Sequence, residues 1–160
     1  IKGIEIIFRT LLAQFEIDDS KLVVADASGL SKKNKITAKL MGELLYKIRK
    51  DERYALLYES LPIGGVSGTL QSRFTTTAPS AVGLVRAKTG TLNGTATLAG
   101  YVQSTDREYV FVTLADDIAK GNAALNKARA AIDRVLGRIA APNIPAEISP
   151  ENVTKDKNES

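Results

Sequence analysis

Two hydrophobic periods divide the chain. Ile4, Ile7, Phe8, Leu11, Leu12 and Phe15 recur at helical spacing, which predicts an amphipathic helix over 2–15. The apolar run KLVVAD, 21–26, reads as a strand or extended segment, and the small, polar and basic residues of ASGLSKKN after it read as a loop. Thr37 opens a second helix with Leu40, Met41, Leu44, Leu45 and Ile48 on one face. A further helical piece, about Glu52 to Ser60, stops before Pro62. Glycine-rich PIGGVSGTLQSRF is a loop with one helical turn from Thr69 to Phe74.

From Gly83 the period changes. Gly83 to Lys88, Thr95 to Ser104 and Tyr109 to Asp116 alternate and are rich in β-formers, joined by GTLNG and STDRE. Sequential strands with short connections make an antiparallel meander. Ala124, Ala128, Ala131, Ile132, Val135, Leu136 and Ile139 then mark a long helix, roughly Asn122 to Ala140, closed by Pro142 and Pro145. The fold class is α+β: a three-stranded antiparallel sheet flanked by helices, over residues 1–141. Three strands are few for such a sheet, so partner strands are expected in a segment N-terminal to this chain. Residues 142–160 lack apolar spacing and read as a disordered tail.

Composition narrows the chemistry more than the fold. At 160 residues and 44% hydrophobic, the chain can bury one real core. It has no Cys and no His, which removes thiol nucleophiles, disulfides, most zinc sites and every scheme with a histidine base. Any hydrolytic proton transfer falls to Lys, Asp, Glu or Tyr. The net charge of +4 is scattered, and no aromatic residues interleave with the basic ones as a nucleic-acid face requires. Nothing calls for a metal or a cofactor. The opening IKGIEIIF has no Met and reads as a piece of something longer.

Three stretches stand out. In VRAKTGTLNGTATLAGYV, Lys88, Thr89 and Gly90 sit near a strand end with Thr91 directly after. Thr89 and Thr91, two apart, share one face of an extended chain. With Lys88 they form two hydroxyls and a cation, a set that suits a carboxylate, and Gly90 lets another backbone come close. In DASGLSKKN, Ser31 and Asn34 either cap a turn or point into a cleft, as proton relay and as substrate-orienting amide. The loop after Pro62 does not fit a phosphate-binding pattern and reads as the floor or wall of a site.

Taken in order, these stretches resemble the serine–lysine acyl transferases, whose marks are Ser-x-x-Lys, Ser-x-Asn and Lys-Thr-Gly. More closely, the chain resembles the C-terminal portion of the low-molecular-mass class C penicillin-binding proteins, the D-alanyl-D-alanine carboxypeptidase/endopeptidases of the penicillin-binding-protein-4 type, over about residues 1–140. The resemblance implies a β-lactamase/transpeptidase-like fold. It implies acyl transfer from a peptidoglycan peptide ending in D-Ala-D-Ala, and acylation of the same serine by β-lactams. It gives Lys88 the positioning of substrate, the hydroxyls of Thr89 and Thr91 the terminal carboxylate, and the Thr91 N–H half of the oxyanion hole. Ser31 relays a proton and Asn34 holds a substrate amide. The substrate implies an extracytoplasmic location, in the periplasm or at the cell surface.

The sequence departs from this pattern twice. No serine has a lysine three residues on, so the nucleophile segment is expected upstream, and the chain alone is expected to be inactive. Ser31-Lys32-Lys33-Asn34 also has one residue more between Ser and Asn than the family pattern. A serine β-lactamase and a non-catalytic peptidoglycan-binding module are the alternatives.

Overall fold

The structure, a computed structural model, describes residues 2–142. The tail assignment therefore lies outside the described residues except at Pro142. Four helices and three strands follow in the order α1 (Lys2–Gln14), α2 (Ala38–Arg49), α3 (Ala55–Ser60), β1 (Val85–Leu92), β2 (Thr95–Gln103), β3 (Glu108–Ala115) and α4 (Asn122–Ala140). Single 3-10 turns stand at Glu52–Tyr54, Gly68–Leu70 and Pro79–Ala81. The 21–26 run is extended but pairs only at Val23, across from Lys35.

The strands form an antiparallel sheet in the order β1-β2-β3. Its first hairpin corrects the sequence reading. Thr91 pairs with Ala96 and Leu92 with Thr95, so the turn is Asn93-Gly94 alone. Gly94 takes a φ of 84°, which costs glycine little. The Lys-Thr-Gly-Thr run therefore lies inside β1 and not at a strand end. Each of its residues is fixed by a cross-strand partner.

Side-chain alternation sorts the sheet into two faces. Val85, Ala87, Leu98 and Val102 pack with Leu70, Phe74 and Leu136 of α4 in one core cluster. Tyr101 points the other way, onto Leu45 and Ile48 of α2. It is 1% exposed, and its hydroxyl donates to the Leu45 carbonyl at 2.9 Å. A third cluster joins Leu12 of α1 to Leu22, Val24 and Leu40. Thr37 caps α2, its hydroxyl oxygen accepting from the Leu40 N–H at 3.1 Å. The sheet is thus held between α4 on one face and α2 on the other, which leaves the outer edge of β1 as the place where chemistry can be displayed.

Candidate active-site cleft

Residues 62–64, at the start of the glycine-rich loop, cover the first part of the β1 edge. The Ala87 N–H donates to the Pro62 carbonyl at 3.0 Å, and the Gly64 N–H donates to the Val85 carbonyl at 2.9 Å. Neighbouring residues of an antiparallel strand direct their N–H and C=O groups to opposite sides. Since Val85 and Ala87 face outward, Thr89 and Thr91 do as well. Beyond Ala87 no described residue pairs with the outward N–H groups of Thr89 and Thr91. Two aligned donors remain on an open edge. Lys88 is exposed, and its ammonium donates to the outward Thr89 carbonyl at 2.6 Å, which places its charge on the same edge.

The side chains of Thr89 and Thr91 turn toward α4 and line a cleft of about 500 Å³. The loop after Pro62 forms one wall through Thr69, Ser72 and Phe74, as its sequence suggested. Thr89 Oγ1 donates to Thr69 Oγ1 at 3.1 Å. Helix α4 forms the opposite wall with a stripe of Asn126, Arg129, Ala130 and Asp133, one helical face. Arg129 donates to Thr91 Oγ1 at 3.0 Å and to Asn126 Oδ1 at 3.2 Å.

Below them lies a buried ion pair. The Arg73 guanidinium bonds Asp133 through both Nε and NH2, and their side chains are only 13% and 4% exposed. Thr77 Oγ1 also donates to Asp133, at 3.2 Å, and Arg73 reaches the Arg129 carbonyl at 3.3 Å. This fastening ties the loop to α4 and fixes the rotation of the helix that presents Arg129.

Gly90 has a role the sequence did not reveal. A Cβ there would stand 2.3 Å from Thr97 Oγ1, its cross-strand partner, so a side chain at 90 would force the Thr97 hydroxyl to turn away. Ser31 and Asn34 are not among the residues lining the cleft. Asn34 Oδ1 accepts from the N–H groups of Ala25 and Asp26 at 2.7 and 3.1 Å, and its Nδ2 donates to Asp26 Oδ1 at 2.9 Å. Asp26 in turn accepts from the Gly29 and Ser31 N–H groups, and Ser31 Oγ accepts from the Lys33 N–H. The Asn34 amide, foremost among these bonds, holds the Asp26 carboxyl below its ordinary range. Asn34 thus spends its Oδ1 and one of its two Nδ2 protons within its own loop.

Arg129 and the Arg73–Asp133 pair were missed in the sequence. The apolar stripe of α4 is legible by its period, but a polar stripe on the same helix looks like an ordinary solvated face.

A helix-flanked antiparallel sheet with Lys-Thr-Gly-Thr in its edge strand is the arrangement of the transpeptidase-like fold class. In keeping with this, penicillin binding protein 4 (dacB) from Haemophilus influenzae, in its complex with a novel β-lactam, is similar with a TM-score of 0.69 at 31% identity, over 80% of this chain and 30% of that one. The particular family is equally plain: residues 2–139 match D-Ala-D-Ala carboxypeptidase 3 (S13), and the chain belongs to that family. Among curated relatives, carboxypeptidase DacB of Mycolicibacterium smegmatis is 42% identical over 66% of this chain. D-alanyl-D-alanine carboxypeptidase DacB of Haemophilus influenzae is 36% identical over 71% of it. The chain spans 24% of the length of each of these two.

Proposed function

We propose that this chain supplies the substrate-holding wall of a serine-type D-Ala-D-Ala carboxypeptidase acting on peptidoglycan peptides. The reading rests on the β1 edge, where the outward N–H groups of Thr89 and Thr91 lie uncovered beside Lys88. An extended peptide laid along this edge adds a strand, main chain to main chain. The scissile carbonyl then meets the Thr91 N–H, a fixed donor aimed at the charge that develops on the oxygen in the tetrahedral intermediate. The Thr89 and Thr91 hydroxyls meet the terminal carboxylate, and Lys88 adds positive charge along the edge.

In the reaction a serine oxygen bonds to the carbonyl carbon of the penultimate D-Ala. The C–N bond to the terminal D-Ala breaks, its amine takes up a proton, and water hydrolyses the resulting ester. No serine of the 160 residues is followed three residues on by lysine. The attacking serine and its lysine are therefore assigned to the part of the protein that the relatives possess beyond the matched segment. Asn34 staples its own loop through Asp26, while Ser31, whose hydroxyl only accepts from Lys33, keeps its proton available for a relay. The Haemophilus relative is solved in complex with a β-lactam, and the same edge is proposed to take such acylating drugs here. This reading carries an extracytoplasmic site of action with it, since peptidoglycan lies outside the cytoplasmic membrane. A peptide-binding role without catalysis is the second reading, favoured by the lack of Ser-x-x-Lys within this chain.

The test is an NMR titration of the 15N-labelled 160-residue chain with an N-acylated peptide ending in D-Ala-D-Ala, against its L-Ala-L-Ala counterpart. Saturable shifts at the Thr89, Gly90 and Thr91 amides, specific to the D,D peptide, are expected. Shifts confined to other elements, or none, refute the assignment. Fluorescent penicillin should leave no covalent adduct on this chain, and an adduct in its mass spectrum would place a nucleophile within it.

A further inference from the structure

The cleft contains a cation that the reading above does not use. Among the described residues Arg129 has no carboxylate partner, since Asp133, one helical turn on, is engaged by Arg73 and Thr77. We propose that Arg129 is a substrate ligand that binds the C-terminal carboxylate of the peptide together with Thr91, and with Thr89 once its hydroxyl proton turns from Thr69 to the ligand. This rests on the carboxypeptidase reading of the β1 edge and names the charged group that completes it.

Three features support the assignment. First, a guanidinium has five N–H donors in a planar fork, and Arg129 spends one on Thr91 and one on Asn126, so three remain for an incoming oxyanion. Second, the Thr91 hydroxyl accepts from Arg129, which leaves its own proton free to donate. The bond from a cation polarises that hydroxyl and makes it a better donor to an anion. Third, Arg129 is half-buried and its helix is fastened by the Arg73–Asp133 pair, so little ordering cost remains when the ligand arrives. Lys88 is suited to a different task. It is exposed, and its ammonium contacts the Thr89 main chain and not the threonine hydroxyls.

A carboxypeptidase must separate a free chain end from an internal peptide bond, and a fixed cation at the terminal carboxylate makes that distinction. The residue is thus a specificity determinant, and its test compares two ligands. The D-Ala-D-Ala peptide is titrated with a free carboxylate and with a C-terminal amide, into the wild-type chain, Arg129→Gln and Arg129→Lys. The wild type should prefer the carboxylate form. In Arg129→Gln the carboxylate peptide should weaken by about 10-fold or more, the usual weight of a hydrogen bond to a charged group, while the amide peptide is unchanged. Arg129→Lys, which keeps the charge but loses the fork, should fall between them. A native-like NMR spectrum establishes that each variant is folded. If wild type binds both peptides at β1 and Arg129→Gln keeps its full carboxylate preference, the Arg129 assignment is wrong and the β1 reading stands. If wild type binds neither, both are overturned.

Discussion

Replacing Asp133 with alanine cuts the fastening between α4 and the loop after Pro62. The carboxylate is 4% exposed and accepts from Arg73 and from Thr77, and the Arg73 side chain left behind is 13% exposed. Without its partner that guanidinium is a buried, uncompensated charge, a change that costs about 3–5 kcal/mol. By contrast, Arg107 and Asp106 form an ion pair whose side chains are 66% and 54% exposed, and Asp106→Ala should cost about 0–1 kcal/mol. Urea denaturation reads the difference directly. With a slope of roughly 2 kcal/mol per M, Asp133→Ala should lower the midpoint by about 1.5–2.5 M, and Asp106→Ala by less than about 0.5 M. A double variant, Arg73→Met with Asp133→Leu, removes both charges and fills similar volume. It should recover most of the loss, because much of the penalty is the stranded charge. If Asp133→Ala costs no more than Asp106→Ala, or if the double variant is worse than Asp133→Ala, the pair is not the fastening described.

Two further outcomes concern single groups. Burial pushes the Tyr101 phenol up to about 12, against about 10 for an exposed tyrosine. The stability this represents is complete below pH about 10 and is lost as pH rises toward about 12, because the unfolded chain releases that proton first. Tyr101→Phe should flatten the alkaline fall in a series of denaturation curves, and an unchanged fall refutes the assignment. Asp26 is held below the ordinary carboxylate range chiefly by the Asn34 amide. Its ionised form therefore favours the folded state above the unfolded carboxyl pKa, and that contribution is lost as pH falls through the lower, folded value. In Asn34→Ala the Asp26 carboxyl, followed by NMR, should titrate at higher pH, and no movement would contradict the loop-staple role.

The helices and strands were written in local pattern. The apolar spacing from Ala124 to Ile139 lies within the observed α4, and the Thr37 hydroxyl caps α2 where the sequence placed the helix start. These features depend on neighbours three or four residues away, so they survive as text. The Lys-Thr-Gly-Thr motif was legible for the same reason, being contiguous. The hairpin boundary was not. GTLNG contains both strand and turn, and only the pairing of Leu92 with Thr95 decides that two residues suffice to reverse the chain.

What the sequence by itself determined was an α+β chain with a contiguous Lys-Thr-Gly-Thr run and no Ser-x-x-Lys pattern within its 160 residues. Tertiary structure decided which groups meet. It aimed the N–H groups of Thr89 and Thr91 outward, because Pro62 and Gly64 pair with β1 and fix its parity. It explained Gly90 by Thr97 across the sheet, turned Asn34 inward onto Asp26, and brought Arg129 to Thr91 from 38 residues away. Such contacts leave no local trace, since they depend on strand register and on the rotation of a packed helix, both set by burial across the whole domain.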